Sequence, residues 1–170
     1  MDVAALLTDS YSRIGEEVHA AVEGLSAEQL AFRVDAQANS IGWLVWHLTR
    51  VQDDHVAGVA GTEQVWTARG FAERFALPFP VGAIGYGHSS DDVAAVRVES
   101  PELLTAYYDA VAAASLDYVG RLTEADLDRV VDDAWDPPVT LGVRLVSVVD
   151  DCAQHAGQAA FVRGIVLRRR

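Results

Sequence analysis

Lysine is absent from this 170-residue chain: all 13 of its basic residues are arginine. They face 25 acidic residues, and the net charge of −12 leaves little to attract a phosphate backbone. Nucleic acid is therefore not an expected partner, and Arg168, Arg169 and Arg170 read as a short solvated tail. Cysteine is nearly absent as well. The single Cys152 cannot form an intramolecular disulfide, and residues 1–25 carry Asp2, Asp9, Glu16 and Glu17 in place of a basic start and an apolar run. These features predict a cytoplasmic protein. Long hydrophobic runs are missing too, since "LVWHL" and "VRLVSVV" are soon interrupted by charge and fall short of the ~18 apolar residues of a membrane span. The lack of lysine, with abundant alanine and valine, matches coding in a GC-rich genome such as an actinobacterium's.

What the chain has is helix. Half of its residues are hydrophobic, enough for one domain over 1–170 with a core of its own. Over residues 3–23, Ala4, Leu7, Tyr11, Ile14, Val18 and Val22 recur at three- and four-residue intervals and share one helix face. Ser26 with Gln29 is a capping-box pattern for a short helical turn. Asn39 or Ser40 caps a second long helix to about Ala57, closed by Gly58 and Gly61. The segment 61–90, with Pro78, Pro80 and repeated glycines, reads as loop around one short helix near "ARGFAERFA". Ser100, Pro101 and Glu102 start a third long helix to about Leu122. "EADLDRVV" reads as a turn of helix, "DPPVT" breaks the chain, and Thr140 caps a last helix from Leu141 to about Ile165. The fold class is all-α, a four-helix bundle with short extra helices and a Pro/Gly-rich middle loop, its topology left open.

Two helices carry polar residues where apolar ones belong. At ~100° per residue, Leu145, Val148, Cys152, His155, Ala159 and Val162 share a face, with Asp151 beside Val148 and His155. On the second helix His47 sits among Leu44, Leu48 and Val51. An ionised carboxylate in a bundle core costs several kcal/mol unless it is paired. Either Asp151 and His155 satisfy each other as a hydrogen-bonded pair, or a cation satisfies both and His47 supplies a third ligand. Cys152 is a candidate soft ligand in place of Asp151, against its ordinary role as a small hydrophobe.

Two distant segments carry a resemblance. "GWLVWHL" leads with Gly-Trp into an inward histidine, and "DDCAQHAGQAAFVRG" has an acid, three residues, a histidine, then Gly-Gln and Arg-Gly. Together they resemble the DinB / YfiT-like superfamily, in the branch that holds the DUF664 proteins and the N-terminal domain of mycothiol-dependent maleylpyruvate isomerase. Length, helix order and an acidic first helix agree over nearly the whole chain. The resemblance implies a divalent metal, zinc or nickel, held by three side chains at one end of the bundle, a role that falls on His47, Asp151 and His155. Many relatives have His where Asp151 stands, and the isomerase has Glu. It also implies a small thiol such as mycothiol as co-substrate, in S-transfer or isomerisation. Metal-activated water, giving a hydrolase, and a stress- or ligand-binding protein without turnover are the alternatives. The isomerase's extra C-terminal domain is not expected here, which weakens the expectation of that specific activity even with a shared bundle. Relatives often pair, and Ala4, Ala5, Ala20 and Ala21 on the first helix allow close approach, so a homodimer is expected.

The remaining polar residues have humbler expectations beside functional ones. Asp54, seven residues after His47, is placed to hold the imidazole's other nitrogen, or to form a solvated acidic patch with Asp53. Gln158 could line the cavity. Arg163 could pair with an acid across the bundle or meet an anionic ligand. His19, His55 and His88 read as surface histidines. Trp43, Trp46, Trp66 and Trp135 read as core or cavity wall, and the loop carrying Phe79 and Tyr86 as a lid over the metal.

Overall fold

The structure is a computed structural model and describes residues 1–169. Four long helices dominate: α1 (Val3–Val22), α3 (Ile41–Ala60), α7 (Pro101–Val119) and α8 (Leu141–Val166). Short helices α2 (Ala27–Leu30), α4 (Val65–Ala68), α5 (Phe71–Phe75) and α6 (Ser90–Ala95) fill the connections. A 3-10 turn at Glu124–Asp128 leads into a two-stranded antiparallel ribbon of β1 (Val130–Asp132) and β2 (Val139–Thr140). Among the described residues no helix is long and apolar enough to cross a membrane.

Helix starts follow local chemistry. Asp2 accepts from the Ala5 amide, Ser26 and Gln29 form the capping box, Ser40 rather than Asn39 caps α3, and Thr140 caps α8. The second long helix runs past Gly58 to Ala60. Gly61, at φ 70°, supplies the left-handed turn that ends it. The expected single short helix near "ARGFAERFA" is two, α4 and α5, parted by Gly70 at φ 67°. The helix α6, at the end of the 61–90 segment, is started by a capping box of Ser89 and Asp92.

Packing pairs α3 with α7 and α8, and α1 with the same two helices. The sequence neighbours α1 and α3 therefore face each other across a diagonal, as do α7 and α8. Helix α3 is the most enclosed, with every residue from Ile41 to Asp53 buried, because the segment between α3 and α7 wraps its outer side. That wrap needs polar anchors. Fully buried Arg50 donates from Nε to the Ala83 carbonyl (3.1 Å) and from Nη1 to Gln64 Oε1 (2.8 Å). Asp53 accepts from the amides of Val65 and Trp66 and from the Tyr107 hydroxyl, each at 2.8 Å. These bonds bring residues 81–88 down onto α3 beside His47. Trp43, Trp46 and Trp66 are core, whereas Trp135 is 66% exposed and walls nothing.

Candidate metal centre

The antiparallel seam of α3 and α8 brings three side chains together. His47 enters from α3 and Asp151 and His155 from α8, each offering a ligand atom within 4.8 Å of the others. His47 is buried and the other two are half-buried, so the cluster is open on one side. Local sequence sets this placement, since Asp151 and His155 lie one turn apart and His47 follows the inward stripe of α3.

Hydrogen bonds fix both imidazoles. His47 Nδ1 donates to the Ile84 carbonyl (2.5 Å), because a carbonyl only accepts, and Nε2 of the neutral ring is left with its lone pair. His155 Nδ1 lies 2.9 Å from Gln158 Oε1, so the same logic frees its Nε2. Trp43 stacks on His47 with ring centroids 4.5 Å apart and 19° between planes. The indole Nε1 donates in turn to His88 Nδ1 at 3.2 Å. Gly85 sits against the ring. At φ 102° a Cβ there would come within 2.5 Å of His47 Nδ1, so the close approach of this loop requires glycine. Burial pushes the His47 imidazole below its ordinary value and nearby His155 adds to this, while the Ile84 carbonyl and Asp151 act the other way.

The carboxylate is unfinished. Asp151 Oδ1 stands 3.7 Å from His155 Nε2, too long for a hydrogen bond, and Asp151 Oδ2 is buried without a partner among the described residues. The two residues therefore do not satisfy each other, and a buried acceptor is left exposed to its full desolvation cost, about 1–3 kcal/mol or more for a charged group. Two imidazole nitrogens and a carboxylate oxygen form the donor set of an open zinc-type site. Ligand atoms ~2.0–2.2 Å from such an ion lie roughly 3–4 Å apart, so the cluster needs only a small closure of side chains to hold one. The residues present fit a divalent cation.

Other candidates fall elsewhere. Asp54 does not reach His47: it accepts from Gln64 Nε2 (2.7 Å) and lies 3.7 Å from His55. A backbone carbonyl, from Ile84, takes the place expected for it. Gln158 holds His155 and also lines a neighbouring cleft. Among the described residues Arg163 meets neither an acid nor the cluster, and its Nη1 approaches the Ala21 carbonyl (3.4 Å) near the negative end of α1. Cys152 is fully buried, its thiol pushed up by burial, and it donates to the Leu48 carbonyl (3.5 Å) rather than joining the cluster. His19 bonds Asp109 in the open, as a surface histidine does. His55 and His88 are not surface groups: His55 Nδ1 accepts from Arg144 (3.0 Å), and half-buried His88 supports Trp43. Tyr86 packs edge-on to His47 with centroids 5.5 Å apart and is 63% exposed. Its neighbours Gly85 and Gly87, both at positive φ, were the sequence signal for a sharply turned "GYGH" loop.

Comparison with known proteins agrees with this architecture. The family model described as Mycothiol-S-transferase matches residues 7–166. A solved structure described as "Crystal structure of the conserved protein of locus from Enterococcus faecalis" superposes with a TM-score of 0.92 at 30% identity, over 99% of each chain. No curated protein matches the sequence.

Proposed function

Since the chain belongs to the mycothiol S-transferase family of DinB-like bundles, we propose that it transfers the sulfur of a small thiol to an electrophilic acceptor at the His47–Asp151–His155 cluster. The family gives the coarser statement, a mycothiol-related transferase acting on a small thiol. Metal dependence is the finer one. A divalent cation, zinc or nickel, held by His47 Nε2, His155 Nε2 and Asp151 would lower the pKa of a bound thiol and so supply thiolate at neutral pH. The protein's own groups prepare for that. Ile84 and Gln158 hold each imidazole in the tautomer that presents Nε2, Trp43 and Gly85 fix the His47 ring, and the seam leaves one side open. In the transfer, the thiol loses its proton to solvent at the open side, a sulfur lone pair forms the S–C bond, and the acceptor's leaving group departs with its electron pair and takes up a proton from solvent. Tyr86 stands at the exposed side of His47. Burial and then Asp151 hold its hydroxyl above its ordinary value, so it remains an O–H donor for a leaving group or carbonyl.

The partnerless Asp151 Oδ2 beside two oriented imidazoles is the observation that carries this reading. The test is elemental analysis of protein purified without a histidine tag, followed by thiol consumption with mycothiol and an alkylating acceptor. One equivalent of zinc or nickel, with turnover lost in His155→Ala, is the expected result. Turnover of an ester with no thiol present would make the protein a hydrolase. Full metal occupancy with no turnover of any thiol would make it a binding protein.

A further inference from the structure

The cluster lies midway along the α3–α8 seam, and a cleft opens on either side of it. Toward the C-terminal half of α3, a cleft of about 490 Å³ is lined by Asp54, His55, Arg129 and Arg144. Toward its start, a cleft of about 690 Å³ lies between the 34–39 turn and the second half of α8. The two differ in chemistry. The larger cleft takes Val34, Leu44, Phe161 and Val162 as apolar walls with four neutral amide side chains between them, and Asp35 is its one ionisable residue among the described residues. Asp35 Oδ1 is already engaged by the amides of Gln37 and Ala38. Among the described residues no cation lines this cleft. Phe161 is 70% exposed and Val34 45% exposed, so both stand where the fold itself gains little from them.

We propose that the cleft beside Gly157, bounded by Val34, Leu44 and Phe161, binds an uncharged apolar small molecule and is the subsite for the acceptor of sulfur. A volume of this size suits a small ligand, and walls without a cation disfavour an anion in a chain of net charge −12. The subsite lies one side chain from the reacting centre, because Gln158 lines it and also holds His155 Nδ1. The smaller cleft, with two arginines and a histidine, is unsuited to an apolar guest. The role as acceptor subsite rests on the transferase reading, but the apolar affinity does not.

Two helical glycines make the test selective. A Cβ at Gly157 meets nothing within 4 Å and enters the larger cleft, and the same is true of Gly58 in the smaller one. The full chain, stripped of metal, is titrated with the neutral fluorophore N-phenyl-1-naphthylamine. Saturable binding is expected, weakened about tenfold or more by Gly157→Leu and by Phe161→Gln, and unchanged in Gly58→Leu. Gly157→Leu should melt no lower than wild type, since a helical glycine is replaced without a clash. Absence of saturable binding by wild type overturns the inference. So does wild-type affinity in both Gly157→Leu and Phe161→Gln, or an equal loss in Gly58→Leu. A protein that binds no zinc yet passes these arms keeps its apolar cleft and loses the metal reading; one that binds zinc and fails them does the reverse.

Discussion

His47 on α3 gives its Nδ1 proton to the carbonyl of Ile84, 37 positions along the chain, and this bond decides which nitrogen faces Asp151 and His155. A carbonyl cannot rotate a proton away as a hydroxyl can. The orientation of the ring is therefore built into the backbone of the 81–88 loop.

Metal binding should track these contacts in two tiers. His47→Ala and His155→Ala are each expected to weaken zinc binding by about 100-fold or more, and Gln158→Ala by roughly tenfold. His19→Ala is the control, because its ring bonds only Asp109 at the surface. Competition against a chelating zinc dye reads the affinities. An unchanged affinity in His47→Ala would remove the site.

Gly85→Ala should damage both fold and site. The added methyl faces a φ of 102° and lies within 2.5 Å of His47 Nδ1, so ring or loop must move. A loss of about 1–3 kcal/mol in chemical denaturation is expected, together with weaker zinc binding. Gly82→Ala, where a Cβ meets nothing, should do neither.

Asp53→Ala tests the anchor behind the loop. It leaves Arg50 buried without its acid, 3.7 Å away, and strips partners from two amides and the Tyr107 hydroxyl. The cost should be about 3–5 kcal/mol, seen as a lower midpoint in thermal circular dichroism. If residues 1–170 form one domain, as we propose, the transition stays single and cooperative.

Stability should depend on pH through two histidines. Burial holds both His47 and His55 below the ordinary value of 6.5, with Arg144 adding to the effect at His55. The unfolded chain then takes up protons near pH 6.5 that the folded chain refuses. Stability is complete above that pH and is lost as pH falls toward the lower folded-state values. Metal-free protein should melt progressively lower from about pH 7 to 5, and His55→Gln should flatten the slope. An equally steep slope in that variant would contradict the assignment.

Self-association through a bundle face is proposed for α1. Ala5 and Ala20 are exposed there, whereas Ala21 is buried in the protomer's own core and is unavailable. Sedimentation at micromolar concentration should give a dimer, and a monomer would end this proposal.

Local rules were enough for much of this protein. Periodicity, the caps at Ser40 and Thr140 and the Pro101 start are properties of a few adjacent residues, so the four long helices were legible within a turn or so, although Ser100 makes no side-chain cap hydrogen bond. The inward placement of His47, Asp151 and His155 was legible for the same reason, since helix geometry alone fixes which residues share a face. Tertiary structure decided what adjacency cannot express. The diagonal arrangement of α1 with α3, and of α7 with α8, depends on how long connections cross the bundle. Asp54 and the Ile84 carbonyl were both eligible partners for His47, and only the loop held down by Arg50 and Asp53 chose the second. Cys152 neighbours Asp151 in sequence, but one step along a helix turns it ~100° away, into the Leu48 backbone. A backbone carbonyl carries no side-chain signature, so its part in the site exists only once the chain is folded.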